Sequence, residues 1–497
     1  MRRFGPPALL LGLLSLCVAL AAARAVHADD EAGFKPIFNG KDLDGWEGKP
    51  EFWSVEDGAI TGRTTKENPT KGNTFIIWRD APVDDFVLRL KYKIVGGNSG
   101  IQYRSKEVDD FVVSGYQGDF EAGDTFSGIL YEEKGRGILA QRGQKVTIGP
   151  DGTKDAEQVS DSKELQANIK KEDWNDYEII AQGNHLIHKI NGKITAEVID
   201  NQADKRAESG ILALQLHAGP PMTVQFKDIR LKRTRLEDGR KKIVMVAGTP
   251  SHAPGDHEFN AGTALLKQCL DEVPGVVATA YYNGWPADPT AFDNADAILL
   301  YMDGGGRHPV IQRNRLAEID QLIKRGVGLC CAHYAVEVPK EKGGPELSNW
   351  IGGYYETGFS INPHWDAEFS KLPEHPITRG VEPFTINDEW YYNIRFPEGK
   401  SGIKPLLVAT PPDRTRRTDA AAKHPGREEI VAWALERPDG GRGFGFTGGH
   451  RHANWGNDDF RKLVLNALLW SAGVEVPEDG VASSVTPEDL KKNLDPK

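Results

Sequence analysis

Polar and apolar residues alternate with a period of two through the first half of the chain. Residues 86–94 place Phe, Leu and Tyr side chains on one face, which predicts a strand with one buried side. The runs 177–181, 186–190 and 194–198 follow the same pattern and are separated by Gly-Asn and Asn-Gly pairs, which are hairpin signals. Because no long helical period interrupts residues 34–232, this half is predicted to be an all-β sandwich or jelly roll.

The second half changes to solid apolar runs that alternate with segments of helical spacing. Such runs are typical of strands that are buried on both faces of a parallel sheet. Strands are predicted at 242–248, 295–301 and 327–331, and helices at 262–272, 313–325 and 459–472. This order predicts a doubly wound α/β domain over residues 242–476, with ligands bound beyond the carboxyl ends of its strands. The charged stretch 233–241 is predicted to be a linker, and the polar stretch 477–497 a loose tail.

The first residues have the pattern of an export signal. Arg2 and Arg3 precede an almost wholly apolar stretch, and small residues offer cleavage points after Ala25 or Ala28. Residues 1–28 are therefore predicted to be a signal peptide, and the protein to be exported to the periplasm or the extracellular space. No later segment has the roughly 20 apolar residues that a membrane-spanning helix needs, so no transmembrane segment is expected.

The overall composition argues against two further classes of protein. The formal net charge is −11, and no basic stripe interleaves with aromatic residues, so nucleic acid is not expected as a partner. After the predicted signal peptide the cysteines are Cys269, Cys330 and Cys331. Three thiols, two of them adjacent, do not form a disulfide framework, so stability is expected to depend on core burial.

Three predicted strands of the first half carry polar side chains where simple burial would place apolar ones. Because side chains two apart share a face of a strand, each polar set is expected to lie on one side of its sheet. The sets are Gln102 with Arg104, then Gln117, Asp119 and Glu121, and finally Gln215 with His217. Their mixture of donors and acceptors suits sugar hydroxyls, so a carbohydrate-binding groove is favoured over an ordinary solvated face.

Several ordered motifs of this half resemble the 3-keto-disaccharide hydrolase domain family. They lie at residues 38–46, 98–104, 115–119, 217–219 and 226–230, and the resemblance covers nearly all of residues 34–232. It implies a concanavalin-like jelly roll that acts on glycosides already oxidised at C3.

A ketone at C3 acidifies the proton at C2, so a modest base can remove that proton and expel the substituent at C1. This step needs a base and a group that holds the enolate. Asp119 or His217 is the candidate base, and Arg104 is the candidate enolate stabiliser. Glu132 is a second candidate acid. The side chains expected to orient sugar hydroxyls are Asn98, Gln102, Gln117 and Gln215.

Histidines gather near predicted strand ends and loops of the second half. They are His252, His257, His308, His333, His364, His450 and His452. His257, His333 and His450 follow predicted strands, and Glu389 offers a carboxylate. Imidazole and carboxylate groups suit zinc or a similar divalent ion, with His257, His333 and His450 as candidate ligands. Ordinary hydrogen-bonded loop histidines are the alternative interpretation.

The second half resembles the trehalose-utilisation (ThuA-like) family, which is similar to class I glutamine amidotransferase domains. The matching stretches are 326–333, 388–391, 441–450 and 470–473. In amidotransferases a cysteine occupies the turn after the third strand within Gly-x-Cys-x-Gly, whereas here Ala332 replaces the last glycine. No downstream His-x-Glu pair is evident, so amidotransfer is not expected. Cys330 and Cys331 are then buried strand-end residues, with a thiolate nucleophile as the alternative.

Together the two resemblances lead to one main functional hypothesis. The chain is expected to be an exported enzyme that cleaves 3-keto-disaccharides or related oxidised sugars at C1, by elimination or hydrolysis. One alternative is a carbohydrate-binding jelly roll attached to a catalytic ThuA-like domain. A second alternative is a non-catalytic surface protein that binds glycans.

Overall fold

The computed structural model describes residues 31–400 and 402–497, so the predicted signal peptide at 1–28 lies outside the described residues. The chain divides into two compact units between Arg233 and Thr234. In the part of the chain that the structure describes, no helix is long and apolar enough to cross a membrane.

From residue 31 onward, the first unit is built almost entirely of strands, with one short helix, α1 (Ser162–Ala167). The strands are β1 (Lys35–Pro36), β2 (Trp46–Glu47), β3 (Trp53–Glu56), β4 (Ala59–Thr64), β5 (Thr74–Val83), β6 (Phe86–Val95), β7 (Asn98–Asp109), β8 (Val112–Glu121), β9 (Leu130–Glu133), β10 (Gly137–Ala140), β11 (Gln144–Ile148), β12 (Lys154–Gln158), β13 (Asn175–Gln182), β14 (His185–Ile190), β15 (Lys193–Asp200), β16 (Gly210–Leu216) and β17 (Met222–Arg233).

These strands form two sheets. One has ten strands in the order β12-β11-β15-β14-β13-β6-β17-β4-β3, with β1 also paired to β17. The other has seven strands in the order β10-β9-β8-β7-β16-β5-β2. All pairs are antiparallel except β11 with β15, so the prediction of an antiparallel β domain is confirmed.

Aromatic side chains from both sheets meet in the core of this unit. Phe120 of β8 in the seven-stranded sheet lies 4.0 Å, between ring centroids, from Tyr92 of β6 in the ten-stranded sheet. Tyr177 and Phe226 of the ten-stranded sheet contact the same ring. The two sheets therefore pack face to face, and side chains two residues from Phe120 along β8 also face this core.

The second unit alternates strands and helices. Its strands are β18 (Lys241–Ala247), β19 (Val276–Tyr281), β20 (Ala297–Tyr301), β21 (Gly328–Ala332), β22 (His364–Phe369), β23 (Phe384–Glu389), β24 (Ile403–Ala409), β25 (Glu429–Glu436) and β26 (Arg442–Phe446). Its helices are α2 (Phe259–Asp271), α3 (Arg315–Lys324), α4 (Gly344–Trp350), α5 (Asp419–Ala422) and α6 (Asp458–Ser471).

The main sheet of the second unit has the order β19-β18-β20-β21-β26-β25-β24. The first five of these strands are parallel, which agrees with the predicted α/β pattern. The sheet is nevertheless mixed, because β25 and β24 add to it in antiparallel pairing. Strands β22 and β23 form a separate two-stranded sheet that carries Glu389 at its end.

The segment 477–497 does not form the loose tail that its polar composition predicts. Val481 is buried, and its backbone N–H donates to Asn466 of α6 at 2.8 Å. Arg461 of the same helix donates to the Ser483 hydroxyl at 2.9 Å. The prediction fails because the segment satisfies its polar groups against the second unit, which a composition argument does not detect.

Candidate functional site

Strand β8 presents a row of polar side chains on the face opposite the aromatic core. Since Phe120 faces the core, the neighbouring Asp119 points to the other side of the sheet together with Gln117. These two side chains line a cavity of about 300 Å³ with Asn98, Glu133 and His217. We call this cavity and these five residues the acid–amide groove. Tyr131 and the exposed ring of Phe126 add apolar surface to its wall.

Asp119 is the most strongly perturbed acid of the groove. Asn98 Nδ2 donates to its Oδ1 at 2.7 Å, and Gln117 Nε2 donates to its Oδ2 at 3.1 Å. Burial raises the pKa of Asp119 to about 7, although both hydrogen bonds act in the opposite direction. A carboxyl with this pKa is divided between its acid and base forms near neutral pH, which suits proton transfer.

His217 lies in the same groove and is oriented by the backbone. Its Nδ1 is 2.5 Å from the Ala218 carbonyl oxygen, so Nδ1 carries the proton and Nε2 is the basic nitrogen. The Ala218 N–H in turn donates to Asn73 Oδ1 at 3.0 Å. The structure therefore places both predicted candidate bases, Asp119 and His217, around one cavity.

Of the four amide side chains predicted for the groove, two line the cavity and two hold the lining residues in place. Gln102 Nε2 donates to Gln117 Oε1 at 2.7 Å, and Gln102 Oε1 accepts from Ser105 at 2.7 Å. Gln215 is fully buried and donates to Glu133 Oε2 at 3.4 Å. Gln102 and Gln215 thus hold groove residues in place, while Asn98 and Gln117 line the cavity.

Arg104 does not join the groove, contrary to the sequence prediction. The pairing of β7 with β8 shifts register after Tyr103, and Arg104 has a φ of +46°. This bulge breaks the alternation on which the prediction depended. The buried guanidinium instead donates to Asp85 Oδ1 at 2.6 Å and to the Asp84 carbonyl at 2.7 Å. Arg104 therefore belongs to a structural ion pair.

Glu132 also lies away from the groove, and its neighbour Glu133 occupies the expected place. Glu132 pairs with Tyr116, which is a core-facing position of β8, and forms an ion pair with Arg136 at 2.6 Å. Glu133 lies on the opposite face and accepts from Asn73 Nδ2 at 3.4 Å. The alternation of side chains along β9 indicates this arrangement, because Leu130 and Glu132 share the inner face and Glu133 lies on the other.

Four side chains of the second unit converge on one point. His257 lies in the loop after β18, His333 directly follows β21, His450 lies after β26, and Glu389 ends β23. The four ligand atoms, one from each residue, all lie within 4.8 Å of one another. We call these four residues the histidine centre, and all four are residues that the sequence predicts for this site.

The separations within the histidine centre are those of a small coordination site. His257 Nε2 is 2.9 Å from both His333 Nε2 and His450 Nδ1. His450 Nδ1 lies 3.1 Å from Glu389 Oε2, and His333 Nε2 lies 3.6 Å from the same oxygen. Tetrahedral zinc with ligands at about 2.0–2.1 Å places neighbouring ligand atoms about 3.4 Å apart. The observed distances bracket this value.

Hydrogen bonds on the far side of two rings fix which nitrogens face the centre. His257 Nδ1 is 3.0 Å from Asp303 Oδ1, and His333 Nδ1 is 3.0 Å from the Thr447 carbonyl. Both partners are acceptors, so each Nδ1 carries its proton and each Nε2 presents a lone pair. Two lone pairs at 2.9 Å repel each other unless a cation lies between them. The arrangement therefore fits a divalent metal ion.

Burial keeps two of these imidazoles neutral. It lowers the pKa of His257, and burial together with His257 holds the pKa of His333 well below its usual value. For His450, burial is outweighed by Glu389 and Asp256, and the pKa is raised. Neutral imidazole is the form that binds a metal ion.

Three residues beyond the predicted ligands support the histidine centre. Asp303 orients His257, as described above, and Tyr391 Oη lies 3.3 Å from His333 Nε2. Buried Asp388 accepts the Gly449 N–H at 2.7 Å and so holds the loop that carries His450. Asp388 adjoins Glu389 within a predicted motif, and this adjacency was the available signal.

Other histidines and the cysteines have separate roles. His308 and His452 bond to the carbonyls of Ala335 and Leu490, so they follow the alternative interpretation of hydrogen-bonded loop histidines. Cys330 and Cys331 are fully buried within β21, and burial raises the pKa of Cys330 to about 12. This burial favours the prediction of buried strand residues over that of a thiolate nucleophile.

The two units thus define a two-domain chain, with a polar groove on a β sandwich and a histidine–carboxylate centre on an α/β fold. Residues 33–232 match the family model of the 3-keto-alpha-glucoside-1,2-lyase-like domain. Residues 244–471 match the family model of trehalose utilisation, ThuA. The chain therefore joins domains of these two families, and both predicted resemblances are confirmed.

Three solved structures are each similar to less than half of this chain. A protein from Parabacteroides distasonis, named as a candidate glycosyl hydrolase, is 19% identical with a TM-score of 0.28, over 40% of this chain and 99% of its own. The carbohydrate-binding module CBM66 from Bacillus subtilis is 14% identical with a TM-score of 0.28, over 39% and 99%. A candidate ThuA-like protein from Bacteroides uniformis is 16% identical with a TM-score of 0.36, over 47% and 91%. No curated protein is significantly similar to this chain.

Proposed function

We propose that this protein cleaves 3-keto-glycosides at C1 and that the acid–amide groove is where cleavage takes place. The observation that carries the proposal is the buried Asp119 carboxyl, whose pKa is raised to about 7 among neutral amide donors. The match to a 3-keto-alpha-glucoside-1,2-lyase-like domain supports the choice of substrate class.

The proposed step is a base-assisted elimination. The Asp119 carboxylate takes the C2 proton, the C2–H electron pair forms the C1–C2 double bond, and the C1–O bond breaks. The leaving oxygen takes up the proton that Asp119 removed, directly or through solvent, so the products are a 3-keto sugar unsaturated between C1 and C2 and the released second sugar. His217 is the second candidate base. Amide N–H groups, as on Asn98 and Gln117, are the kind of donor that can hold the enolate oxygen in place of Arg104. Direct hydrolysis at C1 in the same groove is the alternative course.

The test is a comparison of oxidised and ordinary disaccharides. Full-length protein is incubated with 3-keto-trehalose or 3-keto-sucrose, and sugar release is followed by chromatography. Trehalose and sucrose are the controls, because their C2 protons are not acidified. Release from the 3-keto substrates alone is expected, whereas equal release from both kinds, or release from neither, would refute the proposal.

A second candidate function has its own support in the histidine centre. We propose that His257, His333, His450 and Glu389 hold zinc or a similar divalent ion, because their ligand atoms converge and two lone pairs oppose each other. When bound, such an ion supplies a Lewis acid and an acidified water molecule. Calorimetric titration of chelator-treated protein with zinc tests this, and the absence of uptake would refute it.

Two other arrangements would follow if the groove only binds sugar. Either the groove is a carbohydrate-binding module for a catalytic second unit, or the protein binds surface glycans without catalysis. The first predicts turnover that does not depend on the Asp119 carboxyl, and the second predicts sugar binding with no turnover at all. Export through residues 1–28 is proposed on the sequence pattern, and N-terminal sequencing of the mature protein would test it.

A further inference from the structure

The last residues of the chain contact the loop that carries His257. Lys497 Nζ forms an ion pair with Glu258 Oε1 at 3.3 Å and also donates to the carbonyls of Ala253 and Asp256. The Asp495 backbone N–H donates to Glu258 Oε2 at 2.7 Å. The side chains of Lys497 and Glu258 are 6% and 1% exposed, so this pair is buried.

Glu258 connects these contacts to the histidine centre. It directly follows His257, and its Oε1 also accepts the Gly255 N–H at 2.8 Å, which closes the loop upon itself. Asn260, at the start of α2, donates to Asp495 Oδ1 at 2.6 Å. The segment therefore contacts the loop on both sides of His257 in the sequence.

The His257 backbone needs such support. Its φ is +48°, in the left-handed region that residues other than glycine rarely adopt. Conformations of this kind persist only where surrounding contacts hold them. On one side the His257 N–H donates to the His450 carbonyl at 2.9 Å. On the other side of His257, the next residue, Glu258, is held in place by Lys497 and Asp495.

We propose that Asp495 and Lys497 are positioning residues of the histidine centre and that Lys497 acts through Glu258 to set His257 for metal binding. This inference rests on the metal centre proposed above. These residues would not contact the ion themselves. Because they act on the position of His257, we expect their loss to lower the affinity of the histidine centre for a metal ion.

The test measures zinc affinity of the full-length protein by calorimetric titration after chelator treatment. Lys497→Ala is compared with Lys492→Ala, because Lys492 is an exposed lysine five residues earlier that pairs only with Asp489 among the described residues. Supporting contacts around metal ligands typically change affinity about 10- to 100-fold. We expect a weakening of about tenfold for Lys497→Ala, no change for Lys492→Ala, and near-normal affinity for Lys497→Arg.

Hydrogen exchange in the metal-free proteins provides a second measurement that does not depend on zinc. Backbone amides of residues 253–258 are expected to exchange faster in Lys497→Ala than in the other two variants. Unaltered zinc affinity in Lys497→Ala would overturn the inference, even if the melting temperature falls. A lack of zinc uptake by the unaltered protein would instead refute the metal centre itself, and this inference with it.

Discussion

The acid–amide groove and the histidine centre gather their polar side chains in different ways. The groove residues Gln117, Asp119 and Asn98 lie on two adjacent strands, so one alternating pattern places them together. The histidine centre takes its four ligands from loops and strand ends that are up to 193 residues apart in the sequence. A site on adjacent strands can thus be predicted from a local sequence pattern, whereas a site formed by loops depends on the topology of the whole sheet.

The two sites also use their surroundings differently. In the groove, neutral amides surround one carboxyl whose pKa is raised, so a proton is available for exchange near neutral pH. In the histidine centre, Asp303 and the Thr447 carbonyl fix the protons of the His257 and His333 rings away from the centre. The first arrangement suits a base that gains and loses a proton, and the second suits ligands that must stay unprotonated.

Replacement of the groove acid is expected to have the largest effect. Asp119→Asn keeps the shape of the side chain but removes the base, so turnover of 3-keto-trehalose should fall about 10²- to 10⁴-fold. Asp109→Asn, at the exposed end of β7, is the matched control and should leave turnover unchanged. A drop of less than tenfold for Asp119→Asn would show that the groove binds sugar without supplying the base.

A change around the histidine centre should have the next largest effect. Asp303→Asn leaves the four ligands in place but weakens the hydrogen bond that orients His257. Zinc affinity measured by calorimetry should fall about 10- to 100-fold. Asp439→Asn, which removes an exposed partner of Arg437, serves as the control. If Asp303→Asn binds zinc as tightly as the unaltered protein, the ring orientation does not depend on Asp303.

The pH dependence of turnover tests the groove separately from the histidine centre, and the expected change is smaller than in the two preceding predictions. Asp119 must be ionised to act as the base, so turnover should rise about tenfold between pH 6 and pH 8 for a pKa of about 7. The protonated carboxyl is favoured in the folded state, so its contribution to stability is lost as pH rises through 7. Asp119→Asn should therefore gain thermal stability relative to the unaltered protein at pH 8. A flat profile between pH 6 and pH 8 would contradict this assignment.

Adjacent glutamates of β9 should give the smallest and most selective difference. Glu133→Gln weakens the contacts to Asn73 and Gln215. We expect this to raise the activation free energy by about 1 kcal/mol, which lowers turnover roughly fivefold. Glu132→Gln breaks the ion pair with Arg136 and should lower the melting temperature with little effect on turnover. The reverse pattern would place Glu132 in the groove.

Local patterns predict much of this molecule but not its irregularities. Alternation along β8 placed Gln117 and Asp119 on the correct face, and the order of buried strands brought His257, His333 and His450 to one edge. Alternation predicts the wrong place for Arg104 because a bulge at its own position interrupts the period of two. Composition wrongly predicts a loose tail around Val481 because its partners lie on α6, and no local pattern contains information about such distant contacts.

The central claim is that cleavage in the groove begins with removal of the C2 proton. A single-turnover comparison of 3-keto-trehalose with its C2-deuterated form tests this directly, because chemistry is then separated from product release. The account predicts slower cleavage of the deuterated substrate, a product unsaturated between C1 and C2, and loss of the deuterium to solvent. Equal rates, with the deuterium retained at C2 of the 3-keto product, would contradict it.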